Sequence, residues 1–261
     1  MIGFNNLGKL GRLGNQMFQY AALKGIAAKN EYNYCIPPSS STNEWADHQL
    51  LVPFKLKNLT QLNIQYIDKN RPTVSERDFS FDKNLYDNCP NWISLYGFFQ
   101  SEKYFKHIEK EIREDFQFKD EIHIPSKEMI DSLDNPISLH IRRTDYVNNP
   151  NHNLLPIEYY HHALTNFDSN RTVIIFSDDP EWCKSQRIFS GDRFLVSENN
   201  SYVDLCLMSL CKSHIIANSS FSWWGAWLSN SDKVIAPREW FGPGNQHLST
   251  KDLYCSNWIV I

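Results

Sequence analysis

The sequence lacks the segments that mark secreted and membrane-spanning proteins. Its first residues, MIGFNNLGKLGRLGNQMF, contain no basic stretch followed by an apolar one, so we expect no signal peptide. No apolar run approaches the roughly 20 residues that a helix needs to cross a bilayer. These absences exclude a membrane-spanning protein from the expected classes.

Cysteine patterns typical of metal sites and redox motifs are also missing. The chain contains no C-x-x-C pair, and no Cys/His cluster has the spacing of zinc ligands. It has no D-x-D motif, which argues against a site where a metal bridges a nucleotide sugar. The six cysteines are scattered at Cys35, Cys89, Cys183, Cys206, Cys211 and Cys255. We therefore favour buried, reduced thiols over disulfides and expect a cytoplasmic protein.

An excess of positive charge is absent as well. The 26 basic and 30 acidic residues give a net charge of −4, which argues against a general nucleic-acid binder. Any anion-binding site must therefore be local. Hydrophobic residues make up 41% of the 261-residue chain and aromatic residues 14%, enough for sizeable cores and too much for a disordered protein.

Neither standard glycine-rich phosphate motif occurs. There is no G-x-G-x-x-G sequence and no G-x-x-x-x-G-K-[ST] P-loop. Instead Gly8, Gly11 and Gly14 are spaced G-x-x-G-x-x-G, and Asn15 and Gln16 open the helix that follows. Glycines allow the backbone to approach a ligand closely, and helix N-termini attract phosphate. A tight turn without any ligand explains the spacing equally well.

Strand and helix patterns alternate between about residues 126 and 240. The strands are ISLHI, TVIIF, RFLV, HIIAN and KVIAP, and the helices between them are PIEYYHHALTNF, DDPEWCKSQRIF, SYVDLCLMSLCK and SFSWWGAWLS. Such alternation predicts an α/β fold with a parallel sheet covered on both faces. In these sheets ligands bind beyond the carboxyl ends of the strands. The residues that follow each strand are therefore the candidate site.

The N-terminal part of the chain is less regular. We expect a short strand near Ile2–Phe4, a helix over NQMFQYAALKGIAAKN, strands at YNYCI and WISLYGFFQS, and one amphipathic helix over EKYFKHIEKEIREDF. Residues 37–90 have weak periodicity and are expected to be irregular. The predicted organisation is an N-terminal lobe at 1–125, a second lobe at 126–240, and a tail at 241–261 that packs back on the first lobe.

The stretch HIRRTD, His140 to Asp145, comprises the end of the buried strand ISLHI and the residues that follow it. Two adjacent guanidinium groups suit a diphosphate, because arginine forms bidentate, charge-assisted hydrogen bonds to phosphate. Pairing of one arginine with Asp145, with the other in solvent, is the alternative. The position at the binding edge of a parallel sheet leaves both interpretations open.

Acidic residues follow two later strands. In SDDPEW, Asp178 and Asp179 come after a strand, and an N-cap for the helix that begins near Pro180 is the simplest role for Asp179. Asp204 lies in the first turn of the next helix, where an acid usually stabilises the helix dipole. A carboxylate that binds guanine is the alternative role for Asp204.

The stretch NSSFSWWGAWL places small hydroxyl side chains at a helix start. Hydroxyls and backbone N–H groups at this position can bind phosphate. Trp223, Trp224 and Trp227 follow at helical spacing, and we expect most of their surface to pack in the core.

Five stretches in this order, GRLGNQMFQYA, GFFQSEKYF, HIRRTDYV, FSDDPEW and NSSFSWWGAWL, closely resemble the bacterial α-1,2-fucosyltransferases of glycosyltransferase family 11. The resemblance covers most of the chain. It implies a GT-B-like enzyme with two Rossmann-like lobes, each built on a parallel sheet. The second lobe is expected to bind GDP-fucose. It also implies inversion at the fucose carbon and transfer to the 2-hydroxyl of a galactoside.

The same resemblance implies roles for individual residues. Arg142 is expected to hold the departing β-phosphate, and His140 and Asp204 to bind the edge of guanine. Asn15 matches a donor contact of protein O-fucosyltransferases. The expected GDP-fucose contacts are Asn15, Gln16, His140, Arg142, Arg143, Asp178, Asp204, Ser219, Ser220 and Phe221. An arginine and helix N–H groups that contact the diphosphate would stabilise the leaving group in place of a metal. We therefore expect neither metal nor cofactor.

The catalytic base is harder to place. In the related α-1,6-fucosyltransferases a glutamate shortly after H-x-R-R-x-D is the proposed base, but here the stretch YVNNPNHN contains no acid. Asp145 is the first candidate, with His152 and Glu158 behind it. Asp145 would alternatively only orient an arginine.

The expected partners are GDP-fucose and a galactose-containing glycan, bound through residues 37–90 and 146–155. A lipid-linked glycan would bring the protein to the inner face of a bacterial membrane. The sequence leaves two alternatives open. One keeps the fold with another linkage or GDP-sugar, and the other is a glycan-binding protein without catalysis.

Overall fold

The computed structural model describes residues 1–40 and 47–261, which divide into two compact units. The first comprises Met1–Lys119 and Leu248–Cys255, and the second Asp120–His247 and Ser256–Ile261. The chain thus passes between units at residue 119, not at 125, because residues 120–131 form a helix of the second unit. The tail contributes residues to both units.

The first unit is built on a four-stranded parallel sheet in the order β2-β1-β4-β3. Its strands are β1 (Ile2–Gly3), β2 (Tyr34–Cys35), β3 (Thr73–Ser75) and β4 (Ser94–Tyr96). Its α-helices are α1 (Leu13–Lys29), α2 (Lys83–Asp87) and α3 (Glu109–Asp115), and 3-10 helices span Gln61–Asn63, Glu102–Tyr104 and Lys106–Ile108. The strand-forming signals at Ile2, Tyr34 and Ser94 therefore predicted three of these four strands correctly.

Helix α1 is the centre of the first unit. Fourteen of its 17 residues are buried, so the helix is covered on all sides, unlike a surface helix with one apolar stripe. Gly25 permits this packing, because a Cβ atom there would lie 1.9 Å from the carbonyl oxygen of Tyr104. The glycine is thus required by the close approach of two backbones.

The second unit contains a six-stranded parallel sheet in the order β10-β9-β8-β5-β6-β7. The strands are β5 (Ile137–Ile141), β6 (Val173–Ser177), β7 (Phe194–Val196), β8 (Ser213–Ile215), β9 (Lys233–Ala236) and β10 (Ile259–Val260). The helices are α4 (Asp120–Asp131), α5 (Ile157–Leu164), α6 (Pro180–Ser185), α7 (Ser201–Leu210) and α8 (Ser220–Leu228), with 3-10 helices at Thr144–Tyr146, Arg187–Phe189 and Pro243–Asn245. The order is that of a doubly wound dinucleotide-binding fold, and it reverses between β5 and β8.

Tight packing of α7 against α8 explains the tryptophans. A Cβ atom on Gly225 of α8 would lie 2.7 Å from the Met208 side chain of α7, so the helices approach closely. Trp223 and Trp224 are fully buried and pack edge to face with ring centroids 5.1 Å apart. The expectation that these tryptophans belong to the core is confirmed.

Some elements differ from the sequence-based expectation. The single helix expected over residues 102–116 is broken into two 3-10 turns and the short helix α3. Strand β3 and helix α2 lie within the stretch 37–90 that was expected to be irregular, and residues 41–46 of that stretch lie outside the described residues. All six cysteines are buried and unpaired, as expected. Within the described ranges, no helix has the length and apolarity to span a membrane.

Candidate active site

The candidate site lies where the strand order of the second sheet reverses. Strand β5 ends at Ile141 and is followed by Arg142 and Arg143, while β8 ends at Ile215 and leads through Asn218 to the start of α8. The two strands are direct neighbours. The crevice at such a reversal is where doubly wound sheets bind ligands.

Arg142 is held between two carboxylates. Its guanidinium contacts Asp145 at 2.5 Å and Asp178 at 3.2 Å, and it lies 5.5 Å from the ring centroid of Tyr146. Burial opposes its charge, but the hydrogen bond to Asp145 and the charge of Asp178 raise the pKa of Arg142 above its ordinary value. The side chain remains 16% exposed, so its charge is fixed in position but reachable by an anion.

Arg143 has a different set of partners. Its Nε donates to Asp179 at 3.1 Å, and its guanidinium carbon lies 3.9 Å from the ring centroid of Trp182. Asp179 is also the N-cap of α6, where it accepts the backbone N–H of Trp182. The two adjacent arginines are therefore held by separate groups, and the N-cap role expected for Asp179 is confirmed.

Asp178 directly follows the neighbouring strand β6 and organises the loop that carries the two arginines. This loop, residues 142–147, is called the arginine loop. It accepts hydrogen bonds from the backbone N–H of Arg143 at 2.9 Å and from the Thr144 hydroxyl, in addition to its ion pair with Arg142. All of these partners are donors of the protein itself. The contact of Asp178 with GDP-fucose stays a prediction, and its visible contacts are those of a counter-charge.

His140 is buried and neutral. Its Nδ1 forms a 3.0 Å hydrogen bond with the Ser222 hydroxyl, and its ring lies 5.7 Å from that of Phe221 in α8. Burial, reinforced by the charge of Arg142, lowers the pKa of His140 to about 3. A neutral imidazole fixed at Nδ1 can use Nε2 as its second polar atom.

Asp204 is a buried carboxylate in the first turn of α7. Its Oδ1 accepts a 2.6 Å hydrogen bond from the Ser197 hydroxyl, and Ser197 is in turn bound by the Asn199 side chain at 3.0 Å. Burial raises the pKa of Asp204 to about 6, although the bond from Ser197 acts in the opposite direction. Ser197, which sequence reasoning missed, follows β7 directly and shares the strand-end signal of the other site residues.

The N-terminus of α8 follows β8, and the arginine loop follows the neighbouring strand β5. Ser219 is the N-cap and accepts the backbone N–H of Phe221 at 3.3 Å, and Ser220 and Phe221 are partly exposed in the first turn. Backbone N–H groups of the first turn have no intrahelical partner and favour an anion. Contact of these three residues with the donor stays a prediction.

Asn218 is one of the strand-end residues that the sequence marks as candidates for the site. Its side-chain amide donates to the carbonyl oxygens of Asn153 and Trp240, each at 2.8 Å. Its backbone carbonyl accepts a hydrogen bond from the Tyr146 hydroxyl at 3.0 Å. It therefore fixes two loops at the end of β8.

Asn15 and Gln16 belong to the first unit, at the start of α1. Asn15 accepts a hydrogen bond from the Gln100 side chain at 2.9 Å. Gln16 is fully buried and binds the carbonyl of Gly11 and the backbone N–H of Gln49. These internal contacts give Gln16 a structural role, whereas donor contact by either residue stays a prediction.

The three candidate bases differ in their surroundings. Asp145 is 49% exposed and paired with Arg142. His152 is partly exposed and stacks on Tyr146, and Glu158 is an exposed residue in the first turn of α5. Among the described residues, Asp145 contacts Arg142 and His152 contacts Tyr146, whereas Glu158 contacts neither.

Comparisons with known proteins identify relatives of this chain. The chain is 35% identical to an alpha-1,2-colitosyltransferase of Escherichia coli, with 96% of each chain covered. It is 28% identical to the O-antigen biosynthesis glycosyltransferase WbnK of Escherichia coli, covering 95% of this chain and 97% of the relative. A galactoside alpha-(1,2)-fucosyltransferase 1 of Bos taurus is 25% identical over 86% of this chain and 66% of its own length.

Solved structures show the same fold. Arabidopsis thaliana FUT1, a mutant in complex with GDP, matches with a TM-score of 0.58 at 10% identity, covering 90% of this chain and 70% of its own. The NodZ alpha-1,6-fucosyltransferase soaked with GDP-fucose matches with a TM-score of 0.55 at 11% identity, covering 95% and 97%. The fold is thus GT-B-like. The family model for Glycosyl transferase family 11 matches residues 1–261, and the chain belongs to this family of glycosyltransferases.

Proposed function

We propose that this protein transfers L-fucose from GDP-β-L-fucose to the 2-hydroxyl of a galactoside, with inversion at the fucose carbon and without a metal. The observation that carries the proposal is the environment of Arg142. This guanidinium is fixed by Asp145 and Asp178 at the reversal point of the second sheet, and it keeps part of its surface open. The similarity to an alpha-1,2-colitosyltransferase and to a galactoside alpha-(1,2)-fucosyltransferase supports the choice of reaction.

In the proposed reaction the diphosphate is the leaving group. The bond between C1 of fucose and the β-phosphate oxygen breaks, and its electron pair goes to that oxygen. Arg142 and the N–H groups at the start of α8 stabilise the charge that develops there. Removing one such preorganised donor typically costs a factor of about 10²–10³ in rate.

Guanine recognition is assigned to two groups of opposite character. The ionised Asp204 accepts hydrogen bonds from N–H groups of guanine, and the neutral His140 offers Nε2 because its Nδ1 is bound to Ser222. A carboxylate that accepts from a base edge discriminates against bases lacking those N–H groups. Both groups are supported by hydrogen bonds within the second unit.

GDP-colitose is the second candidate donor. The 35% identity to an alpha-1,2-colitosyltransferase favours it. Colitose differs from fucose only by the absence of the 3-hydroxyl. A pocket that hydrogen-bonds the 3-hydroxyl would reject colitose strongly, whereas an apolar pocket would discriminate weakly. The donor is therefore decided by measurement of kcat/KM for both.

The test is a transfer assay with purified protein. The protein is incubated with GDP-fucose or GDP-colitose and a panel of galactosides in the presence of EDTA, and GDP release and product linkage by NMR are followed. We expect acceptor-dependent GDP release and an α-1,2 product. Absence of turnover with every donor and acceptor, together with glycan binding that does not require GDP, would instead support a binding protein.

The acceptor is proposed to be a galactose-containing glycan, free or linked to lipid. The similarity to an O-antigen biosynthesis glycosyltransferase supports the lipid-linked form. Sedimentation with vesicles that carry the glycolipid, compared with vesicles that lack it, tests whether membrane association depends on the substrate.

A further inference from the structure

The loop after the arginines carries an imidazole ring that is linked through Tyr146 to Arg142, the residue proposed to hold the leaving group. Tyr146 follows the arginines, and its ring lies 5.5 Å from the guanidinium carbon of Arg142. The His152 ring stacks on Tyr146 with centroids 4.2 Å apart and planes 6° from parallel. Arg142, Tyr146 and His152 thus form one continuous array.

The backbone that carries His152 is fixed from two sides. Asn218 donates to the carbonyl of Asn153 at 2.8 Å, and His152 pairs with Phe241 in an isolated antiparallel bridge. The N–H of Gly242 donates to Asn151 at 3.1 Å. A Cβ atom on Gly242 would lie 2.5 Å from the Pro150 carbonyl oxygen, so this close approach requires glycine. A catalytic side chain needs a supported position of this kind.

The ring nitrogens of His152 are available for a proton. Among the described residues no group hydrogen-bonds to either nitrogen, and the side chain is partly exposed. The charged groups around it are Asp145 and Arg142. Burial lowers the pKa of His152 below 6.5, while Asp145 opposes this shift and Arg142 reinforces it. The imidazole is therefore neutral at pH 7.

Asp145 is less suited to be the base. It is paired with Arg142 at 2.5 Å, and that contact fixes the group expected on the leaving phosphate. An ion pair with a guanidinium stabilises the ionised carboxylate and makes it a weaker base. Protonation of Asp145 would also remove one of the two counter-charges of Arg142.

Building on the proposed function, we propose that His152 is the general base that activates the acceptor hydroxyl. A lone pair of an imidazole nitrogen takes the proton of the galactoside 2-hydroxyl. The acceptor oxygen forms its bond to C1 of fucose as the bond from C1 to the β-phosphate oxygen breaks, and that electron pair leaves with GDP. Asp145 serves as counter-charge to Arg142.

The matched variant for this proposal is His152→Phe, which keeps a flat ring on Tyr146 and removes both nitrogens. We expect kcat to fall by about 10²–10⁴-fold, the usual size of general-base catalysis, with an unchanged melting temperature and an unchanged Kd for GDP. His161→Phe, an exposed position on α5, is the control and should keep full activity.

Two further readouts separate a chemical role from a packing role. In the wild type kcat should fall as pH decreases through the pKa of His152, because the protonated ring cannot accept a proton, and this acidic limb should vanish in His152→Phe. His152→Ala should regain activity with added imidazole.

The outcomes distinguish the two proposals. Activity of His152→Phe within threefold of the wild type, with the acidic limb retained, would overturn the assignment of the base while leaving the transferase proposal intact. Loss of the limb in Asp145→Asn but not in His152→Phe would transfer the role to Asp145. A wild-type protein without turnover on any donor would overturn the proposed function itself.

Discussion

Two ion pairs, one in each unit, show how similar charges serve different purposes. In the first unit, Lys24 of α1 pairs with Asp115 of α3, and their side chains are 5% and 0% exposed. In the second, Arg142 pairs with Asp145, and their side chains are 16% and 49% exposed. The first pair is sealed, and the second is open to solvent.

The partners of the sealed pair explain its role. Asp115 also accepts the Tyr20 hydroxyl at 2.9 Å and the backbone N–H of Asn58 at 2.8 Å, so its oxygens are used within the protein. A buried pair with satisfied hydrogen bonds can be kept as structure. An arginine that is fixed but still reachable can bind a ligand. Exposure of the cation, rather than the presence of a partner, distinguishes the candidate site from the core.

The largest expected effect is on the sealed pair. Asp115→Asn leaves the Lys24 charge buried without a counter-charge, and we expect the free energy of unfolding to fall by about 3–5 kcal/mol. Chemical denaturation measures this loss, and activity per folded molecule should stay unchanged. Lys110→Met, in the exposed pair with Glu114, is the control and should change stability by less than about 0.5 kcal/mol. A similarly small loss for Asp115→Asn would remove the contrast between the two pairs.

The open pair should respond in turnover. Lysine lacks the planar fork of donors that arginine directs at phosphate. Arg142→Lys should therefore lower kcat by about 10²–10³-fold, with stability changed by less than about 1 kcal/mol. Arg193→Lys, at the amino end of β7 and away from the carboxyl ends of the strands, should have normal kinetics. Steady-state assays and thermal unfolding are the measurements. A large loss of stability in Arg142→Lys, with kcat unchanged, would reverse the comparison.

The site's buried acid should affect donor binding with a defined pH dependence. Asp204→Asn should raise the KM for the GDP-sugar by about 10–100-fold, because hydrogen bonds to a charged group contribute about 1.5–3 kcal/mol. In the wild type, donor affinity should fall as pH decreases through about 6, where the carboxylate of Asp204 becomes protonated. An unchanged KM in Asp204→Asn would remove Asp204 from the donor site.

The same acid should leave a mark on stability. Its folded pKa of about 6 lies above the ordinary value of 3.8, so between these pH values the folded protein binds more protons than the unfolded chain. The contribution of Asp204 to stability is therefore present below pH 3.8 and is lost as pH rises through 6. Asp204→Asn should lack this decline, and denaturation at several pH values measures it.

The smallest effect is expected from Ser197. Its hydroxyl lowers the pKa of Asp204 and fixes the orientation of that carboxylate. Ser197→Ala should shift the acidic limb of donor affinity to higher pH and raise the donor KM by about fivefold, near the contribution of about 1 kcal/mol of one hydrogen bond. Ser185→Ala, on exposed α6, is the control. A pH profile identical to that of the wild type would show that Ser197 does not act through Asp204.

Sequence patterns predicted the second sheet well because each of its inner strands is a run of apolar residues bounded by loops. Strand β10, which has two residues, pairs with β9 and carries too little pattern to be recognised. Paired carboxylates such as Asp178 and Asp179 were located correctly at a strand end. Their division between Arg142 and Arg143 depends on side-chain directions that no spacing records.

Loop contacts were the other limit. The sequence placed His152 in a stretch without regular structure, and nothing in that stretch predicts a ring stacked on Tyr146. The stack exists because Asn218 and Gly242, about 65 and 90 residues further along, hold the loop in place. Long-range contacts of this kind cannot be read from local periodicity.

The central claim, that Arg142 binds the β-phosphate of the donor, is tested most directly by calorimetric titration of GDP and GMP into wild type and Arg142→Ala. The account predicts that the wild type binds GDP more tightly than GMP, and that Arg142→Ala loses about 10–100-fold for GDP and little for GMP, since only GDP carries the contacted phosphate. Equal losses for both nucleotides, or no loss for either, would contradict it.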